Sequence, residues 1–138
     1  MKDQLHLQVI TPERKLLDLF VSRVTLPEVD GYVTLLPGHA ALVGEVGEGD
    51  LQYESEGLER HVAVTGGFLQ VQDNVVKVLA NSALLPEEID LARAREAERR
   101  AAERLGSGDP RIDYMRALSA LHRAQARLSV ASIAILQH

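Results

Sequence analysis

Residues 85–94 read LPEEIDLARA, and the pattern of the chain changes there. Leu85-Pro86-Glu87-Glu88 places a proline at a helix start, with acids facing the positive end of the helix dipole. Downstream to Leu105 there is no further proline and no glycine, and Ala, Arg and Glu dominate, all strong helix formers. The spacing predicts a helix over 86–105, ended by Gly106-Ser107-Gly108. Asp109-Pro110 then predicts a second start, as N-cap and first-turn proline, with the helix running towards Leu136. So short a connection makes the two helices an antiparallel hairpin.

Upstream of that point the pattern is β. Leu5, Leu7 and Val9 alternate with Gln4, His6 and Gln8, so one face is apolar and the other polar. Leu17, Leu19 and Val21 alternate likewise. Val24 and Leu26 do so in opposite parity, which predicts a bend or bulge near Ser22-Arg23. Further short runs follow at 32–36, 41–46, 51–53, 61–65, 68–71 and 75–79. Turn signals such as Asp30-Gly31, Pro37-Gly38, Gly66-Gly67 and Asp73-Asn74 separate them. Many short strands without room for crossover helices imply a mainly antiparallel sandwich or barrel. Two parts are expected, 1–85 and 86–138.

The charge divides at the same place. Residues 1–85 hold 6 Lys and Arg against 12 Asp and Glu, whereas residues 86–138 hold 9 against 8, and every base there is arginine. The net charge of −5 over 138 residues disfavours nucleic acid as a main partner. The absence of cysteine excludes disulfides and thiolate metal sites. Five aromatic residues and no tryptophan argue against stacking on bases or sugars. Met1-Lys2-Asp3-Gln4 opens no signal-peptide pattern, and Leu128–Leu136 is too short to span a bilayer, so a cytoplasmic location without membrane insertion is expected.

The expected hairpin is thinly apolar. The stripe of the first helix is Ile89, Ala94, Ala97, Ala101 and Leu105. That of the second is Ile112, Met115, Leu118/Ser119, Leu121/His122, Gln125 and Leu128. Alanine buries little area, so the hairpin is either a static flap or an element that can leave the β domain. An I-D-x-x-R-A motif occurs twice, at Ile89–Ala94 and Ile112–Ala117. It reads structurally as an Asp–Arg pair at helix spacing, worth ~0.2–0.5 kcal/mol. It reads functionally as arginine forks aimed at phosphate, joined by Arg123 and Arg127. His39 follows Pro37-Gly38 in a turn with no second ligand at metal spacing, and His6, His61, His122 and His138 form no pattern. Gly47-Glu48-Gly49 is acidic and is no Walker loop. No nucleophile elbow or catalytic triad is visible.

Seven stretches in order carry a resemblance across the whole chain: LHLQVITPER (Leu5–Arg14), VTLPEVDG (Val24–Gly31), LLPGHAAL (Leu35–Leu42), VTGGFLQV (Val64–Val71), NVVKVLA (Asn74–Ala80), EEIDLARA (Glu87–Ala94) and IDYMRALSALHRAQARL (Ile112–Leu128). The chain resembles the epsilon subunits of F-type rotary ATP synthases of bacterial type. The resemblance implies a ten-stranded antiparallel β-sandwich followed by a two-helix hairpin, and no catalytic activity of its own. It implies a rotor subunit at the cytoplasmic face of the cell membrane, coupled to proton translocation. The partners would be the gamma subunit, the ring of c subunits and, transiently, the alpha and beta subunits. Gly38, His39, Ala40 and Leu42 would meet gamma, and Asp30, Gly31 and Tyr32 would face the c ring. Relatives usually carry Gly-Glu-Phe/Leu-Gly in that loop, whereas this chain reads Gly31-Tyr32-Val33-Thr34 and lacks the acid. Arg116, Arg123 and Arg127 would suit acidic ends of the beta subunits when the hairpin extends and blocks ATP hydrolysis. No cofactor is required. Some relatives bind regulatory ATP in the folded hairpin, and Ile89, Asp90, Arg93, Ala94, Arg100, Arg123 and Arg127 match their residues. Leu84 stands where such relatives tend to carry an acid. From the residues alone, a free-standing β-sandwich binding module with a helical tail is the alternative.

Overall fold

The structure is a computed structural model that describes residues 3–136; the readings on Met1, Lys2 and His138 lie outside the described residues. Strands β1 (Leu5–Ile10), β2 (Lys15–Val21), β3 (Arg23–Glu28), β4 (Gly31–Leu35), β5 (Leu42–Glu45), β6 (Glu48–Ser55), β7 (Leu58–Gln72) and β8 (Val75–Leu84) come first. A 3-10 turn (Pro86–Glu88) leads to α1 (Leu91–Gly106) and α2 (Tyr114–Leu136). The strands hydrogen-bond in the order β2-β1-β8-β7-β6-β3-β4, with β5 on β7. All pairings between these strands are antiparallel except β1 with β8, which is parallel.

Eight strands make a two-layered sandwich because β7 and β8 belong to both layers. The first half of β7 pairs with β6, and the second half pairs with β5. Between them the buried set changes parity, from Val62 and Val64 to Leu69 and Val71. β8 makes the same change, from Val76, Val78 and Ala80 to Ala83. The pairing of β7 with β8 skips Gly66 and Asn81 at this point. Gly67 has φ +124°, and a Cβ there would stand 2.0 Å from the carbonyl oxygen of Leu79, so no side chain fits. The ten strands expected from the resemblance therefore become eight: β7 and β8 each run through the break, and each would count twice if cut there. The break expected at Ser22-Arg23 is present. It separates β2 from β3 and leaves Val21 and Val24 both buried.

The core between the layers is aliphatic, with Leu5, Leu7, Leu26, Leu35, Leu51 and Leu69 among the fully buried side chains. The hairpin is different. Its buried hydrophobics among the described residues are Ala94, Ala101, Ala117, Ala124, Ala126, Val130 and Ala131. The stripe of the first helix is as expected at Ala94 and Ala101. That of the second moves to alanines and Val130, and Met115 lies 68% exposed. The alanines win because α2 lies close against both α1 and the strands β6 and β7, and only small side chains fit that approach. The outer sheet face near α2 carries buried polar groups. His61 Nδ1 lies 2.9 Å from Asp50 Oδ2, and the Thr65 and Ser82 hydroxyls are 2.8 Å apart. Burial pushes the Asp50 carboxyl up, against the pull of His61. No helix among the described residues is long and apolar enough to cross a membrane.

Both helices start later than the sequence predicts. Pro86–Glu88 is a separate 3-10 turn, and the backbone is extended again at Ile89. Asp90 is the true N-cap of α1, and its Oδ1 accepts the Arg93 N–H at 3.1 Å. Asp113 does the same for α2, accepting the Arg116 N–H at 3.1 Å. The Asp of each I-D-x-x-R-A copy thus binds the backbone of its Arg instead of the guanidinium, because an N-cap satisfies an amide that has no partner within the helix.

The linker is fastened to the sandwich by one ionic fork. Arg14, in the β1–β2 turn, donates from Nη1 and Nη2 to Glu88 Oε2 and Oε1 at 2.6 and 2.8 Å. Arg14 Nη2 also reaches the Ala83 carbonyl at 3.3 Å, and Glu88 Oε1 accepts the Leu85 N–H at 2.8 Å. The Arg14 fork, followed by the Leu85 amide, holds the Glu88 carboxyl below the ordinary glutamate range. A carboxyl lowered in the folded state stabilises above its unfolded value, and that contribution is lost as pH falls through the folded value.

Four outcomes are expected. Leu51→Ala should cost about 2–5 kcal/mol of global stability in denaturant unfolding, as a buried Leu truncation does. Val130→Asp should instead make the hairpin protease-sensitive while the midpoint of the sandwich stays in place; a matching drop in both would contradict the division. Arg14→Ala should speed amide exchange at Leu85, Glu88 and Ile89 at neutral pH, with little change in Tm, since a partly exposed pair is worth ~0–1 kcal/mol. The wild-type chain should lose the same protection as pH falls below the ordinary glutamate range, through the lowered value of Glu88.

Candidate functional site

The end of β8, the linker and the two helices enclose a cavity of about 510 Å³, within the usual range for small-molecule sites. Its lining is Leu84 from β8, Glu88 from the 3-10 turn, and Ile89 and Asp90 from the extended link. Arg93, Ala94, Ala97 and Arg100 of α1 and Arg127 of α2 complete it. Helix spacing explains the cluster: Arg93, Ala97 and Arg100 lie three or four residues apart and share a face.

The cavity is cationic. Burial is the main influence that pushes the Arg127 guanidinium down, and the nearby charges of Arg123 and Arg93 add to it. Among the described residues, neither Arg93 nor Arg127 has a carboxylate at ion-pair distance, and Arg100 has only Glu96 at 3.7 Å. Of the two acids in the lining, Glu88 is held by Arg14, and Asp90 caps α1. One half-buried guanidinium, Arg127, with the exposed Arg93 and Arg100 beside a helix N-terminus, forms a receptor for an anion, above all a phosphate.

Six of the seven residues that the resemblance assigns to ATP line this cavity, as does Leu84. Arg123 does not line it and acts on it through Arg127. Arg116 lies far off, in a second recess at the other end of the hairpin with Arg104, Arg111, Ile112, Asp113 and Ala117. Arg116, Arg123 and Arg127 are seven and four residues apart on α2 and so follow one stripe of the helix, but only Arg127 lines the cavity.

The loop before β5 is held by the β7–β8 turn, where the Gly38 N–H donates to Asn74 Oδ1 at 2.7 Å. Gly38 adopts φ +86°, and the His39 amide closes the turn on the Leu36 carbonyl at 3.1 Å. His39 Nδ1 donates to the Ala40 carbonyl at 2.7 Å, so the ring is oriented by its own loop. Leu42 opens β5 opposite Val71. Beside this loop is an apolar face that the sequence reading missed. Phe68 pairs across the strands with Leu79, which in turn pairs with Ile10, and Phe68, Leu79 and Val43 are all exposed. The available signal was two adjacent apolar residues, as in Leu42-Val43, Phe68-Leu69 and Val78-Leu79, where strict alternation fails.

Val29 and Asp30 form the β3–β4 turn, and Gly31 opens β4 at φ +127°. Tyr32 is turned back from it, and its hydroxyl accepts the Asp50 N–H at 3.2 Å. The sequence reading also missed two histidine pairs. His61 joins Asp50 across β6 and β7, and His6 joins Asp18 across β1 and β2 and stacks on Phe20 with centroids 4.9 Å apart. Among the described residues no group of three or more His, Asp or Glu could hold a metal ion.

Comparison with known proteins agrees in both parts of the chain. The family model for the β-sandwich domain of the ATP synthase delta/epsilon chain matches residues 4–86, and that for its long α-helix domain matches residues 87–132. The ATP synthase epsilon chain of Nitratidesulfovibrio vulgaris is 42% identical over 130 residues, covering 94% of this chain and 97% of its own. Those of Solibacter usitatus and Symbiobacterium thermophilum are 44% and 45% identical, covering 95% and 92% of this chain and 98% and 92% of theirs. Among solved structures, a chain of the Euglena gracilis mitochondrial ATP synthase (OSCP/F1/c-ring, rotational state 1) superposes with a TM-score of 0.81 at 26% identity, covering 94% of this chain and 82% of its own. A chain of the Tetrahymena thermophila central stalk and c-ring shares the fold, with a TM-score of 0.56 at 16% identity, covering 96% of this chain and 97% of its own. A sandwich and a hairpin matched end to end, by two family models and by relatives of near-equal length, make this chain a member of the ATP synthase delta/epsilon chain family.

Proposed function

We propose that the chain is the epsilon-type rotor subunit of a proton-translocating F-type ATP synthase, peripheral on the cytoplasmic face of the cell membrane, and that its hairpin regulates ATP hydrolysis. The sandwich docks on the gamma subunit through Gly38, His39, Ala40 and Leu42 and the neighbouring apolar face of Val43, Phe68 and Leu79. The turn at Asp30, Gly31 and Tyr32 faces the c ring. The subunit transmits rotation and takes no catalytic part.

The observation that carries the regulatory reading is the contrast in packing. The sandwich buries Leu and Val, whereas among the described residues the fully buried hydrophobics of the hairpin are alanines and Val130, with its leucines only half-buried, above a polar sheet face. At ~25 cal/mol per Å² of apolar area, such a contact is weak beside a leucine core, which leaves two arrangements close in free energy. Released, the hairpin presents Arg116, Arg123 and Arg127 to acidic surfaces of the alpha and beta subunits and impedes hydrolysis. Docked, it completes the cationic cavity, where Ile89, Asp90, Arg93, Ala94, Arg100 and Arg127 hold a regulatory ATP with Arg123 behind them. ATP that binds only the docked form shifts the population towards it.

Tagged full-length protein should bring down gamma from gently lysed cells; recovery of no ATP synthase subunit would defeat the rotor reading. Removal of residues 86–138 should raise the ATP hydrolysis of membranes, and an unchanged rate would remove the inhibitory role. Calorimetry should show ATP binding to the purified chain that weakens at least about tenfold in Arg93→Ala and in Arg127→Ala, as expected for charge-assisted contacts worth ~1.5–3 kcal/mol each. Binding that survives both substitutions would defeat the pocket.

A further inference from the structure

The turn between β7 and β8 consists of Asp73 and Asn74 alone, since Gln72 pairs with Val75 across it. Both residues stand at positive φ, +51° and +63°, the left-handed pair that a tight strand reversal uses. Glycine meets that backbone demand at least as well as asparagine. What asparagine adds is a side-chain acceptor: Asn74 Oδ1 takes the Gly38 N–H at 2.7 Å. Its backbone carbonyl takes the His6 N–H at 2.7 Å, which fixes the turn on β1. The group so held belongs to the loop of residues 36–41 between β4 and β5. Leu36, Gly38, Ala40 and Ala41 are exposed there, so apolar burial does little to place the loop. Within it, the His39 amide meets the Leu36 carbonyl and His39 Nδ1 meets the Ala40 carbonyl. Among the described residues, the Gly38–Asn74 bond is the one hydrogen bond that ties residues 36–41 to another part of the chain.

We infer that Asn74 is the positioning residue of the gamma-docking loop: it sets affinity for gamma by holding Gly38, His39 and Ala40 in their binding shape before the partner arrives. The inference rests on the docking of this loop on gamma proposed above and adds the residue that prepares it. A segment ordered before it binds loses less conformational freedom in the complex. Gly38 stands at φ +86°, and a glycine released from its one outside partner samples many other conformations. Loss of the Asn74 acceptor therefore loosens the loop. It leaves the aliphatic core intact, because Asn74 lies in the turn, outside the buried positions Val71 and Val76 of the two strands. The effect resides in the free chain, so it is visible there as well as in binding.

Asn74→Gly keeps the left-handed backbone and removes only the acceptor, whereas Asn74→Asp keeps both the acceptor and the tolerance for positive φ. Binding of each full-length chain to a purified core of alpha, beta and gamma subunits should be measured. Asn74→Gly should weaken binding at least about threefold, the size expected for one neutral hydrogen bond. Its Gly38 amide should exchange at least about threefold faster in the free chain, while the unfolding midpoint stays near that of the wild type. Asn74→Asp should remain within about threefold of the wild type in binding and in exchange. His39→Glu, which puts a charge at the loop, should weaken binding at least about tenfold. If His39→Glu weakens binding and Asn74→Gly stays within about threefold, this inference is overturned and the docking reading stands. It is overturned as well if Asn74→Asp weakens binding as much as Asn74→Gly, or if the loss in Asn74→Gly comes with an equal loss of global stability. Wild-type binding by His39→Glu would defeat the docking reading itself.

Discussion

The fork of Arg14 on Glu88 sets the arrangement of everything beyond the sandwich. It joins residues 74 positions apart and holds the 3-10 turn against the end of β8. From that turn the chain can only leave at Ile89 and Asp90, and Asp90 then fixes where α1 begins. The cavity follows from this geometry. Its floor is the pinned linker, its wall is the first turns of α1, and Arg127 of α2 closes it. A fork on a partly exposed pair contributes little to global stability. Its effect is directional, because it makes a short linker a hinge of defined position.

Two kinds of packing lie on either side of that hinge. The sandwich interior is continuous leucine and valine, and two strands cross between its layers at the Gly66–Asn81 break. The hairpin lies on the outside of one layer, where Asp50, His61 and Thr65 are buried. These polar groups are paired within the sheet, so they do not depend on the hairpin for hydrogen bonds. Covering them gains little, and uncovering them returns them to water at little cost. Small side chains above a satisfied polar face are the physical basis of the proposed separation of the hairpin, while the leucine core keeps the sandwich constant.

Much of this was legible in local pattern. The alternation of Leu5, Leu7 and Val9 marks β1, the parity change at Ser22 marks the break before β3, and Ala94 and Ala101 mark the buried face of α1. Ile89, Asp90, Arg93 and Ala94 are contiguous, and helix spacing brings Arg100 to the same cavity. The remainder depends on partners distant in sequence. Pro86 and Glu88 resemble a helix start until Arg14 is placed beside them. His61 shows no pattern until the β6–β7 register sets it against Asp50. The runs at 61–65 and 68–71 prove to be one strand, because Gly66-Gly67 reads as a turn although the strand runs on through it. The α2 stripe holds in part: Ile112, Leu118, Leu121 and Leu128 are half-buried, whereas the closest contact goes to alanines, because close packing selects by size.

The central claim is that the hairpin docks reversibly on the sandwich and that nucleotide holds it there. The chain has no cysteine, so spin labels can be placed cleanly at Glu56→Cys on the β6–β7 turn and Ala102→Cys on α1, both exposed. Pulsed electron-electron resonance between them should give two distance populations without nucleotide, and ATP should draw them into the one that matches the docked structure. A single distance that ATP leaves unchanged, or a shift by ATP away from the docked distance, would contradict the account.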